Sequence, residues 1–362
     1  MSSDREALKA EFLAGAGLGE ANRERLAGDA STRLYERLRL PSGASLIFMD
    51  QPPGEGAPCP PEATTAERIA AGYNAAARLA AGRVDAFVAT AGWLHGQGLS
   101  APDIVAHDAA NGLAVVEDLG DGLYASLIEA GEPETPLYEA AVDAQVRMHA
   151  AAPPPVIEVH GVRWPLLTYD GLALKIGTDT FLEFWPQFAG LAPFDSAAAA
   201  EWDALWAPVF AAGEAGAAVF THRDYHAQNL LWLPRRAGVA RVGMVDFQDA
   251  LTAHPAWDLL HLLQDARRDV SPELEQAMLD RFLAARPELD RDRFLTEYRA
   301  LAASNAARIL GRVFARQALL GRPQYKAYMP RTWRYLERNL QDPALAGLKA
   351  WFDRHVPAEA RA

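Results

Sequence analysis

The chain is nearly devoid of cysteine. Cys59 is the only one in 362 residues, so no disulfide can close within the chain and a reducing compartment is expected. Long apolar runs are missing too. Nothing approaches the roughly 18 apolar residues of a membrane-spanning helix, and Met1 to Glu11 carries charges instead of a signal-peptide core. These absences predict a cytoplasmic protein with no membrane insertion. Positive charge is also in short supply, with 35 Lys and Arg against 47 Asp and Glu and a net charge of -12. That balance excludes a general affinity for nucleic acid or anionic membrane, both polyanions. It leaves room for a phosphorylated ligand held by a local cluster of cations.

Half of the residues are hydrophobic, so a sizeable core is expected, and the length suits two lobes better than one core. Residues 3 to 14 have helical spacing. Arg25 to Ala27 leads into the turn Gly28-Asp29-Ala30-Ser31, Arg33 to Leu38 alternates like a strand, and Ser45 to Met49 is a further strand. Residues 52 to 61 are a Pro/Gly-rich loop. An Ala-rich helix is predicted over 63–81 and another over 85–97, with strands at 103–107 and 113–116. After Glu117-Asp118-Leu119-Gly120-Asp121 the pattern becomes helical, over 133–150, 179–189, 197–212, 256–268, 272–284, 291–318 and 328–340. The expected fold is α+β, with a small antiparallel sheet lobe over 1–118 and a larger, mainly helical lobe over 119–362.

One region interrupts the helices. His222-Arg223-Asp224-Tyr225-His226-Ala227-Gln228-Asn229 fits the pattern H-x-D-x-x-x-x-N, in which the Asp faces an acceptor hydroxyl and the Asn a metal ion. Val242 to Val245 reads as a buried strand that delivers Asp246, followed by Phe247-Gln248-Asp249. Either motif alone is weak, since Asp, Asn and His are common in turns. Their order, with apolar strands on both sides, points to phosphoryl transfer, which needs a positioned acceptor, neutralised phosphates and excluded water. Asp224 is the expected base or orienting group, ionised at neutral pH. Asn229 and Asp246 are the expected ligands of Mg2+, a hard cation that prefers oxygen.

The small strand lobe, the acidic hinge and these loops resemble the aminoglycoside phosphotransferase and choline kinase group, which has a protein-kinase-like fold. Within it, Gly28-Asp29-Ala30-Ser31 with Arg33 and Tyr35, the strand ending Phe48-Met49-Asp50, the hinge, and Phe314-Ala315-Arg316 are similar to the anomeric kinases of N-acetylmuramate and N-acetylglucosamine in bacterial cell-wall recycling. The resemblance runs from about residue 26 to about 340. It implies ATP and Mg2+ as cofactors, a small amino sugar as acceptor, and a monomer. Another small-molecule kinase of the group, or a non-catalytic nucleotide-binding protein, stays open at this stage.

The resemblance also implies roles. Asp258 would brace the catalytic loop, with His222 structural. Glu117 would offer its carbonyl and Leu119 its N–H to an adenine edge. The third strand departs from the kinase pattern: Met49 stands where a Lys would contact the phosphates, and the helix over 85–97 has no Glu to pair with one. Gly28 and Ser31 are the expected phosphate turn. Arg33 is the candidate for the missing cation, with Arg37 as the alternative. Asp249 reads as a helix N-cap or a group near the metal. For the acceptor pocket the candidates are Tyr225, His226, Glu183, Trp185, Arg308 and Arg312, the arginines belonging to a row with Arg316 that otherwise reads as a solvated or salt-bridged face.

Overall fold

Alternation along the first strands builds the first lobe. In a computed structural model, which describes residues 3–26, 33–52 and 58–361, five strands form one antiparallel sheet: β1 (Asn22–Arg25), β2 (Leu34–Arg39), β3 (Ser45–Asp50), β4 (Ile104–Asp108) and β5 (Leu113–Glu117), in the order β1-β2-β3-β5-β4. Successive residues face opposite sides of a strand. Leu38, Phe48, Leu113 and Val115 therefore share the outer face, where Phe12 and Leu13 of the helix Ser3–Gly15 cover them. Met49, Ala114 and Val116 turn inward and join a core with Ala86, Phe87 and Ala91 of the helix Val84–Gly96. The outer face also buries a charge. Asp50, 1% exposed, is met by Arg5 at 2.5 Å and Lys9 at 2.9 Å, two cations one turn apart on the N-terminal helix.

The expected helix over 63–81 is two short ones, Thr65–Ala70 and Tyr73–Ala76. Thr64 and Glu67 form a capping box at the start, and Gly72, at φ +90°, breaks the run between them. This segment docks on the second lobe: Arg68 donates to Asp170, the N-cap of the helix Gly171–Ala189.

In the second lobe the helices Glu134–His149, Ser196–Ala215, Pro272–Ala285, Arg291–Arg308 and Met329–Asn339 begin near their expected places, and Gly171–Ala189 starts eight residues before its expected first residue, 179. Asp170, Asp195, Ser271 and Asp290 cap four of them by accepting a backbone N–H. The helix expected over 256–268 ends at Leu263. The one expected over 291–318 widens into a π-helix at Ile309–Ala315 before resuming at Arg316–Leu319. A hairpin of β6 (Val156–Val159) and β7 (Val162–Pro165), and a last helix Ala346–His355, had no counterpart in the sequence reading. One apolar core runs from the inner face of the sheet into the helices. Among the described residues no helix is long and apolar enough to cross a membrane.

Candidate active site

Four three-residue strands bring the two acidic loops together. β8 (Val219–Thr221) pairs with β11 (Leu251–Ala253), and β9 (Leu230–Trp232) pairs with β10 (Val242–Met244), both antiparallel. Residues 222–229 thus leave β8 and return at β9, while 245–250 leave β10 and return at β11. The Val245 N–H donates to the Asn229 carbonyl at 3.0 Å and stitches the loops at their base.

Two residues in these loops take left-handed backbone conformations, Arg223 at φ +81° and Asp246 at φ +64°. Such conformations cost roughly 1–3 kcal/mol each and persist only where the surroundings hold them. Asp258 does so for Arg223. Its buried carboxylate accepts the His222 N–H at 2.7 Å and the Arg223 N–H at 2.8 Å. Burial pushes the Asp258 carboxyl up to about 7, against the pull of those two donors. The Arg223 guanidinium lies 4.8 Å from the Tyr169 ring centre and donates to the Ala77 and Arg78 carbonyls, which pins the 65–80 segment to the loop. His222 is fully buried, edge-on to Tyr225 and Phe247, and burial lowers it to about 4, so its ring is neutral.

Asp224 lies at the wall of a cavity of about 100 Å³ shared with His226, Asp265, Arg267, Asn305 and Arg308. Asn229 turns its amide nitrogen to the Asp224 carbonyl at 2.9 Å and to His226 Nε2 at 3.3 Å, leaving its amide oxygen as a possible ligand. Among the described residues no group of three or more His, Cys, Asp and Glu could hold a metal alone. The Asn229 and Asp246 oxygens suit Mg2+, which takes one or two carboxylate-type ligands and completes its shell with phosphates and water.

Arg33 stands beside Asp246. Its Nη2 is 3.0 Å from Asp246 Oδ1, while Nη1 donates to Gln248 Oε1 at 2.9 Å and to the Tyr35 hydroxyl at 3.1 Å. Gln248 in turn donates to Asp246 Oδ1 at 3.1 Å. Partial desolvation by the cleft walls works against the Asp246 charge, yet the Arg33 guanidinium and the Gln248 bond hold its carboxyl below the ordinary value. Met49, in contrast, is 1% exposed within the core, so the third strand brings no cation to the cleft. The alternative, Arg37, is 2.7 Å from Asp118 and 2.6 Å from Asp121, which ties it to the hinge. Gly28 and Ser31 lie outside the described residues.

At the hinge, Asp118 accepts from Ser45 Oγ at 2.7 Å and from the Gly120 N–H at 2.9 Å. The Glu117 side chain is paired with Arg236, and the Glu117 N–H donates to the Asp103 carbonyl at 2.8 Å. Asp249 is no helix cap, because a strand follows it; its Oδ1 accepts the Ala80 N–H at 2.6 Å instead.

Two acceptor candidates are corrected. Tyr225 is fully buried and donates its hydroxyl to the Ala141 carbonyl at 2.8 Å. Trp185 is fully buried between Phe181, at 5.4 Å, and Trp333, at 5.1 Å. Both are core aromatics with no face for a sugar. His226 does line the Asp224 cavity, where its Nε2 is 3.2 Å from Arg267. Glu183 is exposed, within electrostatic reach of Arg312. Arg308 lines the cavity and Arg312 lies one turn on, its guanidinium carbon 3.8 Å above the Tyr73 ring. Tyr73 and Gln248 had gone unnoticed: nothing in an Ala-rich segment marks its one Tyr, and a Gln beside a metal-type Asp carries no pattern.

Comparison with known proteins identifies the family. A model of the phosphotransferase enzyme family matches residues 22–295. The N-acetylmuramate/N-acetylglucosamine kinase of Caulobacter vibrioides is 63% identical over 363 residues, covering 100% of this chain and 99% of that protein. A protein of the same name from Pseudomonas aeruginosa is 27% identical over 330 residues, 88% of this chain and 84% of that one. In fold, a choline/ethanolamine kinase family protein from Mesorhizobium loti is similar with a TM-score of 0.53 at 15% identity, over 96% of this chain and 98% of that one. The matched span holds the sheet, the hinge and both acidic loops, and the chain belongs to the phosphotransferase enzyme family.

Proposed function

We propose that this chain transfers the γ-phosphoryl group of ATP, with Mg2+, to the anomeric hydroxyl of N-acetylmuramate and N-acetylglucosamine, as a cytoplasmic step of peptidoglycan recycling. The observation that carries the reading is the placement of Asp224 on a cavity wall in the same loop as Asn229, with Arg33 of the first lobe meeting Asp246 of the neighbouring loop. Its near-full-length likeness to a kinase named for these two sugars supplies the acceptor class.

In this reading Asp224 accepts the hydrogen bond of the sugar hydroxyl and aims its oxygen at the γ-phosphorus. The new O–P bond forms as the bond to the β-phosphate oxygen breaks, ADP leaves, and the hydroxyl proton passes to Asp224 and then to water. Orientation counts for more than basicity in so loose a transition state. Asn229 and Asp246 would hold Mg2+, whose charge would offset that of the phosphates. Arg33 exchanges Asp246 for a phosphate oxygen, standing in for the Lys that the third strand lacks. This wall carries Arg267 and Arg308 beside Asp224 and Asp265, without the surplus of carboxylates that a polycationic aminoglycoside calls for.

A panel of free sugars, amino alcohols and aminoglycosides incubated with ATP and Mg2+ tests the reading. Phosphorylation of the two N-acetyl amino sugars is expected, and turnover confined to choline-like amines or aminoglycosides would overturn it.

A further inference from the structure

Arg308, Arg312 and Arg316 follow one another at four-residue spacing through the π-helix Ile309–Ala315. All three are half-buried, and among the described residues none has a carboxylate within ion-pair distance. This is unusual in a chain of net charge -12, where most other half-buried arginines are paired. A row of like charges without partners is a cost that a salt-bridged face would not carry.

Two of the three, Arg308 and Arg312, are nevertheless held in place. Arg308 donates through Nε and Nη2 to Asn305 Oδ1 at 3.0 and 2.8 Å, and a Cβ on Gly177 would come within 2.9 Å of its Cδ. Arg312 lies over Tyr73, a contact that uses the guanidinium face and leaves its in-plane N–H donors unspent. Burial first, with the Arg316 and Arg308 charges adding and Tyr73 and Glu183 opposing, lowers the Arg312 guanidinium from its ordinary value. The π turn itself is fixed by close packing, since a Cβ on Gly311 would come within 2.4 Å of the Thr180 backbone. π turns are rare and cluster at functional sites.

We propose that Arg308 and Arg312 form a carboxylate subsite for the acceptor. It takes the lactyl ether carboxylate of N-acetylmuramate while the anomeric hydroxyl of the same sugar faces Asp224. The proposal rests on the amino-sugar kinase reading above and adds to it a division of labour: N-acetylglucosamine, which lacks the lactyl group, makes no use of this pair. A planar guanidinium suits a carboxylate by two parallel hydrogen bonds. The Tyr73 contact means that the 65–80 segment, held by Arg223 and Asp170, completes the subsite.

The test is steady-state kinetics of Arg312→Gln, Arg308→Gln and Arg312→Lys on both sugars, alongside ATP affinity and thermal melts. For Arg312→Gln, kcat/KM on N-acetylmuramate should fall about 10- to 100-fold further than on N-acetylglucosamine, the usual weight of one charge-assisted pair. Arg312→Lys should recover part of that difference. Equal losses on the two sugars, or a loss that follows ATP affinity, would overturn the subsite while leaving the kinase reading intact. If the parent protein phosphorylates neither sugar, the reading and the subsite fall together.

Discussion

Arg33 Nη2 sits 3.0 Å from Asp246 Oδ1, so the first lobe's cation and the second lobe's metal-type carboxylate meet directly. The Arg33 side chain is 11% exposed and Asp246 44%, which leaves the carboxylate, more than the guanidinium, open to the cleft. Arg33→Ala should therefore weaken ATP by roughly ten- to a hundredfold, as expected for a lost charge-assisted bond, and leave adenosine nearly unchanged. Calorimetric titration with both ligands checks this, and equal losses would show that Arg33 supports the lobe and not the phosphates. Met49→Lys should be a poor rescue because residue 49 faces the core.

Asp224→Asn should keep the fold and ATP binding while cutting turnover by about 100-fold or more, the usual worth of a positioned base. Stopped-flow or coupled-assay rates on folded protein decide it. Near-normal turnover would remove Asp224 from the reaction.

Asp258 acts at one remove. Asp258→Ala leaves the His222 and Arg223 N–H groups buried without acceptors, at roughly 1–3 kcal/mol each. A loss of about 2–5 kcal/mol in denaturant unfolding is expected, together with lower turnover as Arg223 relaxes from φ +81°. Asp258→Asn, which keeps one acceptor oxygen, should lose less on both counts. A melt of Asp258→Ala superimposable on that of the parent would contradict the bracing role.

The buried histidines set an acid limit. Burial lowers His149 to about 3 and His222 to about 4, whereas an unfolded His titrates near about 6.5. Below that pH the unfolded state binds protons that the native state refuses, so stability falls as pH drops from about 6.5 toward the folded values. Asp258, raised to about 7, acts with the opposite sign, because the native state holds its proton where the unfolded state does not. His149 packs at the end of its helix against Phe282 and Arg286. Unfolding free energies of His149→Gln between pH 4.5 and 6 should thus slope less than the parent's by about 1.4 kcal/mol per pH unit, one proton's worth. Parallel slopes would mean that His149 is charged in the native state.

The local features were legible in the sequence because they are written locally. The alternation of β2, β3 and β5, the helical runs after the hinge and the two acidic motifs each depend on residues a few places apart, and the absence of a Lys at 49 leaves Arg33 or Arg37 as the nearby cation. Contacts across long separations were not legible. Asp249 looked like a cap because its partner, the Ala80 N–H, lies in another lobe. Tyr225 and Trp185 looked like sugar platforms because an aromatic at a core position and one at a binding face share the same letter; only burial separates them. The break at Gly72 and the π turn at Ile309–Ala315 escaped because Ala-rich and apolar sequence continues the helical period through both. The turn Gly28 to Ser31 falls outside the described residues.

The central claim is that Asp224 directs the anomeric oxygen to the γ-phosphorus, and one measurement addresses it most directly. N-acetylglucosamine and N-acetylmuramate labelled with 13C at C1 are turned over with ATP and Mg2+, and the products are followed by 13C and 31P NMR. The account predicts a two-bond carbon–phosphorus splitting of the C1 resonance, formed by the parent protein and lost at equal enzyme concentration in Asp224→Asn. A phosphate coupled to C6, or a C1 phosphate that forms as fast in the variant as in the parent, would contradict it.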